Sequence, residues 1–219
     1  MGCYPYRADR WTEELQGKGA GAQSVTKLST PMARLAAGIA GLVVTTALVH
    51  KDPVDPLEEK VFTMVNDLPD RIYTPVWLVM QLGALGAAPA TGAAAWAAGN
   101  RQLAFRLVAA GSATWALSKV VKRLVGRPRP ASLLPATHVR GSEAAGLGYL
   151  SGHAGVAVAL GVAAAPHVGR SGRVLIVGLI PAVALARVYV GAHLPLDIVG
   201  GAALGLGVEA ASALYQQTL

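Results

Sequence analysis

Six stretches of the chain, at about residues 32–50, 72–98, 103–124, 152–168, 173–189 and 195–215, are apolar and long enough, or nearly so, for tilted transmembrane helices. With 53% hydrophobic and 14% charged residues and a mean hydropathy of +0.45, the chain is too apolar for a soluble domain. Its 219 residues accommodate one bundle of spans and not two domains. Lipid cannot satisfy the backbone groups of an open sheet edge, and a β-barrel would alternate apolar with polar residues. The expected class is therefore all-α: a six-helix transmembrane bundle over residues 31–219 behind a polar tail, 1–30. That tail carries Gly17, Gly19 and Gly21 without periodicity and reads as mobile or as a short surface helix. Residues 53–68 read as an amphipathic helix on the membrane surface, and 131–150 as a Gly/Ala-rich extramembrane loop.

The net charge is +7, but the basic residues are scattered and form no aromatic-interleaved patch. This points away from nucleic acid and toward anionic lipid or phosphate as the partner. The single cysteine, Cys3, allows neither an intramolecular disulfide nor a cysteine-rich metal site, and the residues around it lack a lipidation signal. Lys18, Lys27 and Arg34, then Arg101 and Arg106, then Arg170 and Arg173 mark one face as cytoplasmic. Both termini then lie inside, in a multi-pass protein of the cell membrane. Lys122, Arg123, Arg127, Arg129 and Arg140 fall on the extracytoplasmic face against this rule and need another explanation.

Three motifs fall on that face. Lys122 to Arg129-Pro130 closes the third span: Pro128 and Pro130 stop the helix, leaving Lys122 about two turns back inside it and Arg129 on the loop. Leu150-Ser151-Gly152-His153 opens the fourth. There Ser151 suits an N-cap, Gly152 lets a ligand approach the backbone, and the free N–H groups of the first turn favour an anion. Arg187 to His193 to Asp197 links the fifth and sixth. Pro195 suits the first helical position, so Asp197 can reach back toward His193, fix its tautomer and free its other nitrogen to attack.

Taken singly, these are a snorkelling basic collar, a capped helix start and a structural His/Asp pair. Taken together, three cations, a helix N-terminus, two histidines and a carboxylate at one membrane surface cost much desolvation unless they bind an anion. Arg127 and Lys119 are candidates for added phosphate or headgroup contact or for helix-end anchors, and Glu143 for a headgroup contact or a solvated loop charge. His50, His138 and His167 read as interface or loop residues.

These residues resemble the signature of the type 2 phosphatidic acid phosphatase family: K-x6-RP, PSGH and SR-x5-H-x3-D. Here the matches are Lys122 to Arg129-Pro130, Ser151-Gly152-His153, and Arg187 to His193 to Asp197, at the family spacings. Leu150 replaces the proline of the second motif and Ala186 the serine of the third, neither an acid, base or nucleophile. The resemblance implies the helical fold shared with acid phosphatases and vanadium haloperoxidases, and a lipid-phosphate phosphatase acting on a phosphomonoester or diphosphate headgroup.

In the implied mechanism His193 attacks phosphorus to form a phosphohistidine, Asp197 orients it, and His153 protonates the leaving group. Lys122, Arg129, Ser151, the Gly152 N–H and Arg187 would hold the phosphate oxygens. No carboxylate cluster suits Mg²⁺ and no His/Cys cluster suits Zn²⁺, so no metal or other cofactor is expected. The implied substrates are phosphatidic acid, phosphatidylglycerol phosphate, a polyprenyl diphosphate or a phosphorylated polyprenyl sugar. Two alternatives stay open: a lipid-linked phosphotransferase on the same scaffold, and a non-catalytic lipid-binding or transport subunit.

Overall fold

The computed structural model describes residues 9–141 and 146–218, with side chains from Thr30 onward. Cys3 and Glu143 lie outside the described residues. Among the described residues the chain is helical without strands, apart from one isolated antiparallel bridge between Pro128 and Leu147.

Helix α1 (Asp9–Lys51) already contains the polar stretch from Asp9 and carries Pro31 in its interior, so Pro31 is not a helix boundary. Its apolar, span-length part is Thr30–Lys51. Helix α2 (Pro56–Asn66) is the expected surface helix, capped by Asp55, whose Oδ1 accepts the Leu57 N–H at 2.8 Å. The apolar run 72–98 is not one straight rod: α3 (Tyr73–Met80) and α4 (Ala87–Ala97) belong to two arms bent by 69°. Gly83 lies at the break, and a Cβ there would sit 2.5 Å from the carbonyl oxygen of His153. The bend therefore presses against the start of the helix that bears His153.

Helix α5 (Arg101–Val125) is followed by the four-residue α6 (Pro130–Leu133), then α7 (Gly152–Ala164), α8 (Arg170–Tyr189) and α9 (Pro195–Gln217). By length and composition, Thr30–Lys51, α8 and α9 can each cross a membrane, and the bent pair adds a fourth crossing if it acts as one span. Arg106, Lys119, Lys122 and Arg123 make α5 more polar than these, although its 25 residues give it the length. Helix α7 has only 13 residues, about 20 Å at the α-helical rise. It lies between α5, α8 and α9, and residues 154–160 are all buried, so protein replaces lipid around it.

Small residues set the spacing of these helices, as close packing in lipid requires. A Cβ at Gly205 of α9 would lie 2.1 Å from the Gly155 carbonyl oxygen of α7, and one at Gly201 would lie 2.2 Å from that of Ser151. Helix α1 meets α9 in the same way, where a Cβ at Gly38 would lie 2.7 Å from the Gly207 nitrogen. Toward the other end of the bundle Glu209, fully buried on α9, pairs with Arg106 of α5 and, at 3.4 Å, with Arg34 of α1. A carboxylate inside a membrane bundle needs such partners, and here they tie three helices together.

Candidate active site

Helix α5 ends earlier than its prolines alone predict. Gly126 adopts a left-handed conformation (φ 71°) as the C-cap, which only glycine takes without strain, so Lys122 sits in the last turn and not two turns back. Its Nζ donates to the carbonyl oxygens of Leu147 at 3.2 Å and Gly148 at 2.8 Å. The Gly148 N–H donates to the Arg127 carbonyl at 2.7 Å, and a Cβ at Gly148 would lie 2.5 Å from the Pro128 oxygen. The loop before Ser151 is thereby stitched to the loop after α5.

Ser151 is the N-cap of α7, its Oγ accepting the Ala154 N–H at 3.4 Å. Its own N–H donates to the main-chain oxygen of Asp197 at 2.8 Å, so the second motif hangs directly on the third. Two residues earlier, the buried Tyr149 hydroxyl lies 2.7 Å from Thr45 Oγ1 and 2.9 Å from Thr46 Oγ1 of α1. Gly152 and the half-buried His153 then open α7.

After α8 the chain turns at Gly191 (φ 74°), and the Ala192 N–H bonds back to the Arg187 carbonyl at 3.1 Å. Arg129 Nη1 donates to the Ala192 carbonyl at 3.3 Å, and the buried Arg187 has Nη1 2.9 Å from Met80 Sδ. His193 is buried, with Nδ1 3.5 Å from Asp197 Oδ2 and no hydrogen-bond partner on that nitrogen. Asp197, in the first turn of α9, accepts the Leu194 N–H on Oδ2 at 2.9 Å and Arg127 Nη1 on Oδ1 at 2.7 Å. Burial first, then the charges of Lys122, Arg187, Arg129 and His153, hold the His193 imidazole well below its ordinary value. The fold thus gathers the cations of all three motifs and the second histidine around a neutral imidazole backed by a carboxylate.

Arg127, which the sequence left as either a headgroup contact or a helix-end anchor, is buried and turned onto carboxylates. Its Nη2 donates to Glu58 Oε2 at 2.5 Å and Nη1 to Glu58 Oε1 at 3.3 Å, while Nε reaches the Pro53 carbonyl at 3.0 Å. Burial opposes its charge, but the hydrogen bond to Glu58 and the charges of Asp197 and Glu58 prevail and hold the guanidinium above its ordinary value. Glu58, on α2, also accepts the Leu196 N–H on Oε1 at 2.7 Å. Lying 69 residues from Arg127, Glu58 gave no sign of this role in the sequence.

Arg140, another cation out of place by the orientation rule, is likewise spent on protein groups. It bonds Asp70 Oδ1 and the carbonyls of Asn66, Leu68 and Tyr189 at 2.7 to 2.8 Å. Lys119 lies over the Trp115 ring at 4.8 Å. His50 bonds the Thr46 carbonyl, His167 meets Asn100, and the exposed His138 faces Asp67; none belongs to the gathered cluster.

Residues 102–219, which contain all three motifs, match the family model of the PAP2 superfamily. The chain belongs to the PAP2 superfamily. Two solved structures share its fold. Aquifex aeolicus LpxE is 19% identical with a TM-score of 0.65, over 74% of this chain and 97% of that one. The first transmembrane PAP2 type phosphatidylglycerolphosphate phosphatase from Bacillus subtilis is 16% identical with a TM-score of 0.68, over 85% and 97%. No curated protein matches the chain. Its apolar, span-length helices together with this fold make it a PAP2-type membrane protein. Helices α1 to α4, with Glu58 and Tyr149's partners Thr45 and Thr46, precede the family segment.

Proposed function

We propose that the protein is a membrane lipid-phosphate phosphatase that hydrolyses a phosphomonoester or diphosphate headgroup through a phosphohistidine, without a metal ion. The observation that carries this reading is the buried, neutral His193 with Asp197 at its Nδ1 and the positive charges of Lys122, Arg129 and Arg187 acting on it. Such an imidazole has Nε2 left for attack on an anionic phosphorus that the cations attract.

In the first step Nε2 bonds phosphorus, the bond to the leaving oxygen breaks, and that oxygen takes its proton from His153. Water then attacks phosphorus, losing a proton to His153, the P–N bond breaks, and inorganic phosphate leaves. Ser151, the Gly152 N–H and the three cations hold the equatorial oxygens throughout. Metal independence is supported by the donor set: Asp197 beside His193 and Glu58 behind it are both engaged by Arg127. The Bacillus subtilis neighbour is a phosphatidylglycerolphosphate phosphatase, which favours a lipid phosphate as the substrate class here. The basic residues Arg34, Arg101, Arg106, Arg170 and Arg173 favour a site facing outward from the cell membrane.

The test is phosphate release by the purified protein from phosphatidic acid, phosphatidylglycerol phosphate, a polyprenyl diphosphate and a phosphorylated polyprenyl sugar, with and without EDTA. Release from at least one lipid, insensitive to EDTA and abolished in His193→Ala, is expected. Turnover that persists in His193→Ala, or that chelation removes and Mg²⁺ restores, refutes the mechanism.

A further inference from the structure

We propose that Glu58 and Arg127 are positioning residues for the reaction, holding Asp197 on His193 and supplying the negative charge that the phosphohistidine requires. The inference rests on the phosphohistidine reading and extends it to a helix outside the family segment. Its basis is a buried chain of contacts: Glu58 to Arg127, Arg127 Nη1 to Asp197 Oδ1 at 2.7 Å, and Asp197 Oδ2 to His193 Nδ1 at 3.5 Å. Because Oδ1 is taken by Arg127 and Oδ2 by the Leu194 N–H, the carboxylate cannot turn away from the imidazole. Glu58 holds both ends of this arrangement, since it also accepts the Leu196 N–H one residue before Asp197.

Charge gives the second reason. Glu58 and Asp197 carry two negative charges against the one positive charge of Arg127, so the group retains one negative charge beside His193. When Nε2 bonds phosphorus and the leaving oxygen departs with its electron pair, the ring keeps its Nδ1 proton and becomes a cation. An Asp–Arg pair alone would be neutral and would leave that buried cation only the phosphoryl oxygens as counter-charge, which Lys122, Arg129 and Arg187 already share, and this is costly in a dry site. With Glu58 present the phosphorylated imidazole has its counter-charge, and hydrolysis returns the site to its resting state.

The test uses the full-length protein and the lipid phosphate turned over fastest. Arg127→Met, Arg127→Lys and Glu58→Gln are measured alone and in Asp197→Asn, with kcat and KM separated and the folded fraction taken from melting in detergent. Loss of an orienting partner behind a reactive group costs on the order of 10–100-fold. That factor is expected in kcat for Arg127→Met and Glu58→Gln, with KM unchanged and kcat partly restored in Arg127→Lys. In Asp197→Asn, either substitution should cost nothing more, because the group being positioned has already lost its charge. If Arg127→Met does not fold, Glu58→Gln, nearly isosteric and still able to accept the Leu196 N–H, carries the same comparison. An unchanged kcat per folded enzyme, a loss confined to KM, or an equal loss in Asp197→Asn overturns the inference while leaving the phosphatase reading intact. Turnover that survives in His193→Ala removes both.

Discussion

Replacing Gly201 by alanine adds one methyl group where α9 presses on the N-cap of α7, between the second and third motifs. The new Cβ would lie 2.2 Å from the Ser151 carbonyl oxygen, whereas ordinary contact begins at 3.4 Å. The obstacle is backbone, so no side chain can swing aside, and α9 must move from the start of α7 by about 1.2 Å, the difference between those distances. The Ser151 N–H to Asp197 carbonyl bond, 2.8 Å long, spans the same gap and carries the shear directly into two motifs. Overpacking of this kind costs about 1–3 kcal/mol of stability. A misplacement of about 1 Å between reacting groups costs on the order of 10²-fold in rate.

Gly201→Ala should therefore melt lower in detergent and, per folded molecule, release phosphate about 100-fold more slowly. Gly178→Ala on the exposed face of α8, where a Cβ meets nothing within 4 Å, is the control. It should keep full activity and gain up to about 1 kcal/mol from helix propensity. Wild-type kcat in Gly201→Ala, or equal damage in Gly178→Ala, would show that backbone contact between α7 and α9 does not set the site.

Stability should depend on pH through His193. Its folded value is depressed, so from about pH 6.5 downward the unfolded imidazole takes a proton that the folded one refuses. The contribution is full above about pH 6.5 and is lost as pH falls toward the folded value, by about 1.4 kcal/mol per pH unit. Across that range the wild type should lose stability relative to His193→Gln as pH falls, and parallel melting curves refute the assignment. Orientation is tested by single cysteines at Ala136 and Ser171, both exposed, in a Cys3→Ser protein. An impermeant thiol reagent should label the first and spare the second in intact cells, and the reverse pattern would put the chemistry in the cytoplasm.

The parts of the site legible in the sequence are those whose chemistry is local. Ser151 as N-cap, Gly152 beside His153 and Asp197 one turn after His193 follow from residue type and spacing over a few positions. Contacts between distant segments left no such mark. Glu58 looked like any acid in the first turn of an amphipathic helix, and its partner is reached only when α2 packs on α8 and α9 and meets the loop after α5. The bend within 72–98 did carry a signal, Gly83 and Gly86 close together, but a continuous apolar run masks a break because both arms are equally apolar. Glu209 carried one too: a lone carboxylate deep in a span demands a cation, and Arg106 and Arg34 answer it from the ends that the charge rule placed together.

Tyr149 links the first helix to the chemistry. Its hydroxyl rests between Thr45 and Thr46 of α1, and its ring lies so close to α9 that a Cβ at Gly200 would come within 2.7 Å of the hydroxyl oxygen. A fragment cut to residues 102–219 would keep every motif yet lose both threonines, stranding a buried hydroxyl two positions before Ser151. It would also open the Gly38–Gly207 seam to lipid. The smallest portable unit is therefore larger than the family segment, and a chimera that transplants this active site has to bring α1 with it.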